Sequence, residues 1–253
     1  MAQQLDEAEW GKIYNFGSEA QSLVNALTSN EYSCWTNELL RIIPNGSRTL
    51  EIGSGSGQSS LALAQKGCDV TLLDFGLEQL TLSEYAAQQL AINIATVQHD
   101  AVNPLPFDRQ APPFNYIFHA GLLEHFEPDE RIDLLKLWKP HCETMISMIP
   151  NSASIAYALG KEYQEHNGTW KWGRELPAHT QIREFMLSGY EVTDEYTIGA
   201  STALSFLYNN DPIKHALCEL WENRHASGIY NNFHQGYLLV TIGQNPDYKK
   251  SHH

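Results

Sequence analysis

The chain has 253 residues, 42% of them hydrophobic, which is enough for one sizeable α/β domain with insertions. Its formal net charge is −14 and its 16 lysines and arginines are scattered, so the balance argues against a long nucleic-acid partner. No apolar run approaches the ~20 residues that a membrane-spanning helix needs, and the polar, acidic stretch from Met1 to Glu7 lacks the basic region and apolar core of a secretory signal.

Helices are expected over 18–27 and 31–43, the second closed by Pro44-Asn45-Gly46. A strand over 49–52 leads into Gly53-Ser54-Gly55-Ser56-Gly57 and a helix from 58 to about 66. Three glycines at alternate positions let the backbone turn sharply and leave no side chains between it and a ligand. The helix start behind them offers unpaired N–H groups and a partial positive charge. A second strand over 70–73 ends at Asp74, and the helix expected over 77–90 carries Leu77, Leu80, Tyr85 and Leu90 on a roughly helical period. A strand over 94–97, a proline-rich loop over 103–113 and a strand over 116–119 follow. Pro128-Asp129-Glu130 opens a helix to 138, with acids in the first turn as the helix dipole prefers, and a strand over 144–149 comes next. Residues 151–177 form an insertion rich in aromatics, among them Tyr157, Tyr163, Trp170 and Trp172. A helix near 181–188, a strand near 191–198, a second, partly helical insertion over 200–235 and a last strand over 236–242 complete the chain. Such alternation predicts an α/β fold, a doubly wound Rossmann-like sheet with helices on both faces. The expected organisation is a helical cap (1–45), a nucleotide-binding core (46–150) and a segment (151–253) that completes the sheet, its two insertions forming a substrate cap. Cys34, Cys68, Cys142 and Cys218 form no CxxC pair, which suits reduced thiols in a cytoplasm better than a disulfide framework or a zinc site.

Asp74 lies 21 residues beyond Gly53 at the end of the next strand, where an acid can accept hydrogen bonds from ribose hydroxyls. Dinucleotides and S-adenosylmethionine (SAM) share that geometry. A dinucleotide fingerprint wants a third glycine five positions after the first, and here that position is Gln58.

Four blocks, in order and spacing, resemble the class I SAM-dependent methyltransferases. They are Leu50-Glu51-Ile52-Gly53-Ser54-Gly55-Ser56-Gly57, Leu73-Asp74-Phe75, His99-Asp100-Ala101, and the run from Phe114 through His119-Ala120-Gly121-Leu122-Leu123-Glu124-His125 to Phe126. The resemblance implies SAM as cofactor and a seven-stranded, mostly parallel sheet whose last strand inserts antiparallel between its neighbours. It places Gly53, Ser54, Gly55 and Gly57 along the amino-acid and ribose parts of the cofactor, with Glu51 ordering the loop or contacting the amino group. Asp74 is implied at the ribose hydroxyls, Phe75 on the adenine, Asp100 and Ala101 at the adenine edge, and His119–Ala120 at the methionyl part. Glu51 as a buried structural acid and Phe75 as core remain alternative readings.

The implied reaction is methyl transfer to oxygen or nitrogen of a small molecule by in-line displacement, which asks the protein to align a nucleophile and exclude water. A hydroxyl acceptor would need a base. His119, which ends its strand at the cofactor, is the first candidate, and His125 the second. Some quinone-biosynthesis O-methyltransferases hold a divalent metal through Glu-x-x-Glu-His here. Gly121 replaces the first acid, and Glu124 with His125 alone makes a poor octahedral site, so no metal is expected. Tyr14, Tyr32 and Trp35 are candidates to close over the site. Trp170, Trp172 and Arg174, with His166 and His179 nearby, are candidates to line the acceptor pocket. An NAD-type oxidoreductase, disfavoured by Gln58, and a non-catalytic SAM-fold scaffold are the competing functions.

Overall fold

Three helices precede the first strand. In the computed structural model, which describes residues 6–14, 16–226 and 235–249, they are α1 (Glu7–Ile13), α2 (Phe16–Ser29) and α3 (Cys34–Ile42). The first was not expected, because seven residues are too few to show a helical period. A reciprocal cap starts it: the Asp6 carboxylate accepts from the Glu9 N–H and the Glu9 carboxylate accepts from the Asp6 N–H, each at 2.9 Å. Ser33 caps α3 in the simpler way, its hydroxyl accepting from the Thr36 N–H at 3.2 Å.

The core alternates strands and helices: β1 (Arg48–Ile52), α4 (Gln58–Gln65), β2 (Asp69–Asp74), α5 (Leu77–Gln89), β3 (Ala95–Gln98), β4 (Phe114–Ala120), α6 (Pro128–Trp138) and β5 (Cys142–Pro150). Then come α7 (Ile155–His166), α8 (Ile182–Leu187), β6 (Glu191–Ile198), α9 (Ala200–Ala203), α10 (Pro212–Ala226), β7 (Leu238–Gln244) and α11 (Pro246–Lys249). The seven strands form one sheet in the order β3-β2-β1-β4-β5-β7-β6. The first five run parallel, and β7 lies antiparallel between β5 and β6, the arrangement implied by the resemblance. The strand order reverses between β1 and β4, so the loops leaving these two strands diverge and open a crevice at their carboxyl ends.

Both faces of the sheet are sealed. Leu50, Ile52, Leu73, Ile117, Met145 and Ile149 pack against Leu135 and Trp138 on one side. Val70, Leu72, Phe118, Ile146, Met148 and Val240 pack against Leu39, Leu63 and Leu80 on the other. At about 1.5–3 kcal/mol for each large apolar side chain buried, this double layer dominates stability and holds the strand ends rigid. The insertion at 151–177 is half helix, in α7. Residues 227–234 of the second insertion lie outside the described residues, and β7 begins two residues later than expected. Among the described residues no helix is long and apolar enough to cross a membrane, and all four cysteines are free thiols.

Candidate active site

Past Ile52 the chain turns through Gly53, Gly55 and Gly57 at φ of 67°, 52° and 71°, the left-handed region. Their tasks differ. A Cβ on Gly57 would lie 2.3 Å from Ser83 Oγ and 2.6 Å from Leu72 Cδ2, so Gly57 lets α4 pack close to the sheet. A Cβ on Gly55 would lie 2.9 Å from the ring of Tyr14, so Gly55 admits Tyr14 from the end of α1 onto the loop. The loop is held by the next strand. Gly53 N–H donates to the Leu73 carbonyl at 2.8 Å. The Asp74 carboxylate accepts from Gly55 N–H at Oδ2 and from Gly76 N–H at Oδ1, both at 2.9 Å. One buried acid thereby staples two loops, and two carboxylate oxygens offer about four lone-pair positions, enough for further donors.

A cavity of about 380 Å³ opens here, lined by Gly53, Gly55, Asp74, Phe75, Asp100, Ala101 and Ala120, with Tyr14 across from them. These are residues of all four sequence blocks. Among the described residues that line it are two carboxylates and neither lysine nor arginine. Phe75 is half-buried and belongs to this wall rather than to the packed core. Burial, then Asp74, Glu51 and Glu124, push the Tyr14 hydroxyl up and keep it protonated.

Other expected site residues stand elsewhere. His119 is fully buried, does not line the cavity, and meets Trp138 edge-on at 6.3 Å. Strand geometry explains this: Ala120 faces the crevice, so its neighbour His119 faces away. Neither of its ring nitrogens has a hydrogen-bond partner, and burial, then Arg131, lower its pKa to about 3. Glu51 also stays out of the cavity, accepting from the Ser60 N–H at 3.2 Å with its pKa pushed up to about 8 by burial. That hydrogen bond ties it to the first turn of α4. Ser54 is buried beneath the loop, and Gly57 serves packing, so neither lines the cavity.

The group borne by the first insertion divides. Trp170 packs against Tyr157 and Phe206 and donates from Nε1 to the Gly173 carbonyl, away from the cavity. The Arg174 side chain pairs with Glu127 at the surface. Trp172 reaches the rim only through Trp10, their rings 6.4 Å apart. Tyr32 and Trp35 pack with the helices and do not line the cavity.

His125 does line it, ringed by Trp10 edge-on at 5.3 Å. Its Nδ1 lies 2.8 Å from the Arg174 carbonyl, an acceptor only, so Nδ1 carries the proton and Nε2 the lone pair. Burial lowers its pKa, keeping the ring neutral. Sequence reasoning missed Trp10, His99 and Trp138. His99 sits next to Asp100 in the third block, lines the cavity and leaves its buried Nε2 without a partner. That adjacency was the available signal. Trp138 donates from Nε1 to the Ala101 carbonyl at 3.0 Å, fixing the wall behind Asp100.

The fold and this loop define a class of protein. Residues 49–143 match the family model described as a methyltransferase domain. Over 123 residues, 47% of this chain and 49% of the relative, it is 34% identical to a "Ubiquinone biosynthesis O-methyltransferase" of Erwinia tasmaniensis. Over 105 residues, 42% of this chain and 45% of the relative, it is 30% identical to an "Uncharacterized methyltransferase" of Staphylococcus carnosus. The chain spans about half the length of the curated relatives it matches. Among solved structures it superposes on a chain of the complex between the Haloferax volcanii Trm112 methyltransferase activator and its methyltransferase, with TM-score 0.60, 16% identity and coverage of 91% and 97% of the two chains. It also superposes on the magnesium protoporphyrin IX methyltransferase of Synechocystis with bound SAH, with TM-score 0.54, 12% identity and coverage of 94% and 93%. At such identities these two likenesses speak for the fold.

Proposed function

We propose that the chain is a SAM-dependent methyltransferase that acts on oxygen or nitrogen of a small molecule. The carrying observation is the cavity lining: two carboxylates, aromatic rings and glycine backbone, with no lysine or arginine among the described residues. A diphosphate would sit there beside two negative charges with no cation to meet it, whereas a sulfonium-bearing nucleoside is a cation with ribose donors. The curated relatives named as methyltransferases support the same reading.

The group, when bound, supplies a methyl already made electrophilic by its sulfonium. The chain's own residues do the rest. Asp74, held by two backbone N–H groups, is pre-aimed at ribose hydroxyls. Phe75, Asp100 and Ala101 form the adenine wall. Tyr14 and Trp10 close the cavity against water from the α1 side. His125 takes the position at the acceptor end first expected of His119. With Nδ1–H fixed, its Nε2 lone pair can receive a hydroxyl proton. The acceptor is placed beyond His125, under the insertion, and is taken to be a small molecule in a cytoplasmic setting, with no nucleic-acid or membrane partner. The organisation into a helical cap, a core and a capping insertion belongs to the same proposal, with α1 as the part of the cap nearest the ligand.

Isothermal titration with SAM and with its demethylated product tests the reading. One site for each is expected, and absence of binding by both would overturn it. A nicotinamide cofactor titrated in parallel should give no fluorescence change.

A further inference from the structure

Behind the acceptor end of the cavity, two segments far apart in sequence bring two carboxylates together beside His125. Glu124 follows β4 and Glu175 comes from the insertion, and one oxygen of each, with a ring nitrogen of His125, lie within 4.8 Å of one another. Hydrogen bonds lock the juxtaposition. The Leu176 N–H donates to the Glu124 carbonyl at 2.7 Å, and Arg131 donates to the carbonyls of both Phe126 and Leu176. Glu175 is itself oriented, its Oε2 accepting from the Tyr157 hydroxyl. Glycine at 121, which lines the cavity, puts no side chain between the cavity wall and Glu124, whose Oε1 lies 3.4 Å from where a Cβ on Gly121 would stand.

The pair is short of a donor. Glu124 is 2% exposed, yet its Oε2 has no hydrogen-bond partner among the described residues. A buried carboxylate oxygen left unpaired is costly, and native proteins normally satisfy it. Arg131 and Lys161 are the lysine and arginine whose charges bear on the two acids, and each is engaged elsewhere. Arg131 is spent on the two carbonyls, and Lys161 pairs with Glu165 and sits 4.4 Å above the Trp170 ring. Burial raises the pKa of both carboxyls, so they hold protons that an incoming positive charge would displace. Aromatic rings stand around them. Trp10 meets His125 edge-on at 5.3 Å, and Tyr157 lies 5.5 Å from Tyr237. Burial, then Glu175 and Glu124, keep the Tyr237 hydroxyl protonated. Acids among rings suit an organic cation, which gains from both.

We infer, on the methyltransferase reading above, that the acceptor carries an organic ammonium group and that Glu124 and Glu175 hold it, with Tyr157 orienting the second acid. An ammonium sets its N–H donors tetrahedrally, and oxygens about 2.8 Å from its nitrogen stand about 4.6 Å from each other. The two carboxylates already allow that separation. An anionic acceptor would be repelled by both acids, and a neutral alcohol would offer one donor to two carboxylates. A nitrogen held between two acids keeps its proton and has no free lone pair. It is therefore a handle, and the atom that takes the methyl is elsewhere on the same molecule.

The test titrates the full chain, saturated with SAH in buffer containing a chelator, by calorimetry. The probes are benzylamine, phenethylamine and phenylpropylamine, with the alcohol and the carboxylate that match each. At least one amine is expected to bind about tenfold or more tighter than its alcohol and its carboxylate. Glu124→Gln and Glu175→Gln should each cut that preference by about tenfold or more, while Asp129→Asn, an exposed acid at the start of α6, should leave it unchanged. Retained SAH binding reports that each variant is folded. SAH binding by the parent chain without any preference for the amines, or a preference indifferent to both Gln variants, would overturn the handle alone. A chain that binds neither SAM nor SAH would overturn the methyltransferase reading along with it.

Discussion

The two ends of the cavity are built from different materials. The end set by β1 and β2 is largely main chain: three left-handed glycines, a carbonyl of Leu73 and one carboxylate tied to two N–H groups. The far end is made of side chains and depends on contacts such as His125 with Arg174, 49 residues apart. Backbone built into rigid strand ends tolerates little change, whereas a wall of side chains can be re-cut without moving the sheet. One end is thereby suited to an invariant ligand and the other to a chosen acceptor.

The comparison breaks most violently at Gly57. In Gly57→Val a β-branched residue is forced to φ 71° with its Cβ inside the contact distance of Ser83 and Leu72. Strain and overpacking together should cost about 4 kcal/mol, and thermal melts should show a variant largely unfolded or strongly destabilised. No comparable loss is expected from any single truncation at the acceptor end.

His119 sharpens the contrast between the sheet and the crevice, because it is fully buried and does not line the cavity. Its folded pKa of about 3 is below the ordinary histidine value of 6.5, so below 6.5 the unfolded chain binds a proton that the folded chain refuses. Stability from this group is present above pH 6.5 and is lost progressively as pH falls toward 3, by about 1.4 kcal/mol per unit. His119→Leu should remove that slope. Denaturant melts at pH 7 and pH 5 should show the variant gaining about 2 kcal/mol on the parent between the two, with SAH affinity intact at pH 7. A large loss of SAH affinity would return His119 to the site.

At Asp74 the expected effect falls on ligand affinity. Losing the charged acceptor for two ribose hydroxyls costs about 3 kcal/mol, or roughly 100-fold in affinity for SAH. Asp74→Ala should show it by calorimetry, with a smaller loss of thermal stability from the unstapled loop. Unchanged affinity would remove the ribose assignment.

How far this division was legible in sequence follows from the same physics. Gly53, Gly55, Asp74, Phe75, Asp100 and Ala120 are local signals, each fixed by its position at or just past a strand end, and all line the cavity. The antiparallel last strand came from the resemblance and stands in the sheet. What failed depended on facts that sequence carries poorly. The face of β4 decides between His119 and Ala120, and a strand end shifted by one residue reverses the answer. The three-dimensional approach of Glu175 to Glu124 depends on the path of a 27-residue insertion, and α1 is too short for a period to reveal it. Trp170 and Arg174 were chosen as aromatic and cationic residues in one run, but neighbours in a loop point in different directions.

Trp10 and Trp170 provide the finest discrimination, since both are half-buried tryptophans beside the acceptor end and only one lines the cavity. Trp10→Ala removes a ring that lines the cavity and meets His125 at 5.3 Å, which should weaken SAH binding about tenfold, roughly 1.4 kcal/mol. Trp170→Ala removes contacts to Tyr157 and Phe206 and the cation seat of Lys161, 4.4 Å above the ring. It should lower the melting temperature by several degrees while SAH affinity stays within about twofold. If instead the two variants weakened SAH equally, the insertion would be part of the cofactor wall, and the boundary between an invariant end and an adaptable end would have to be drawn further from β4.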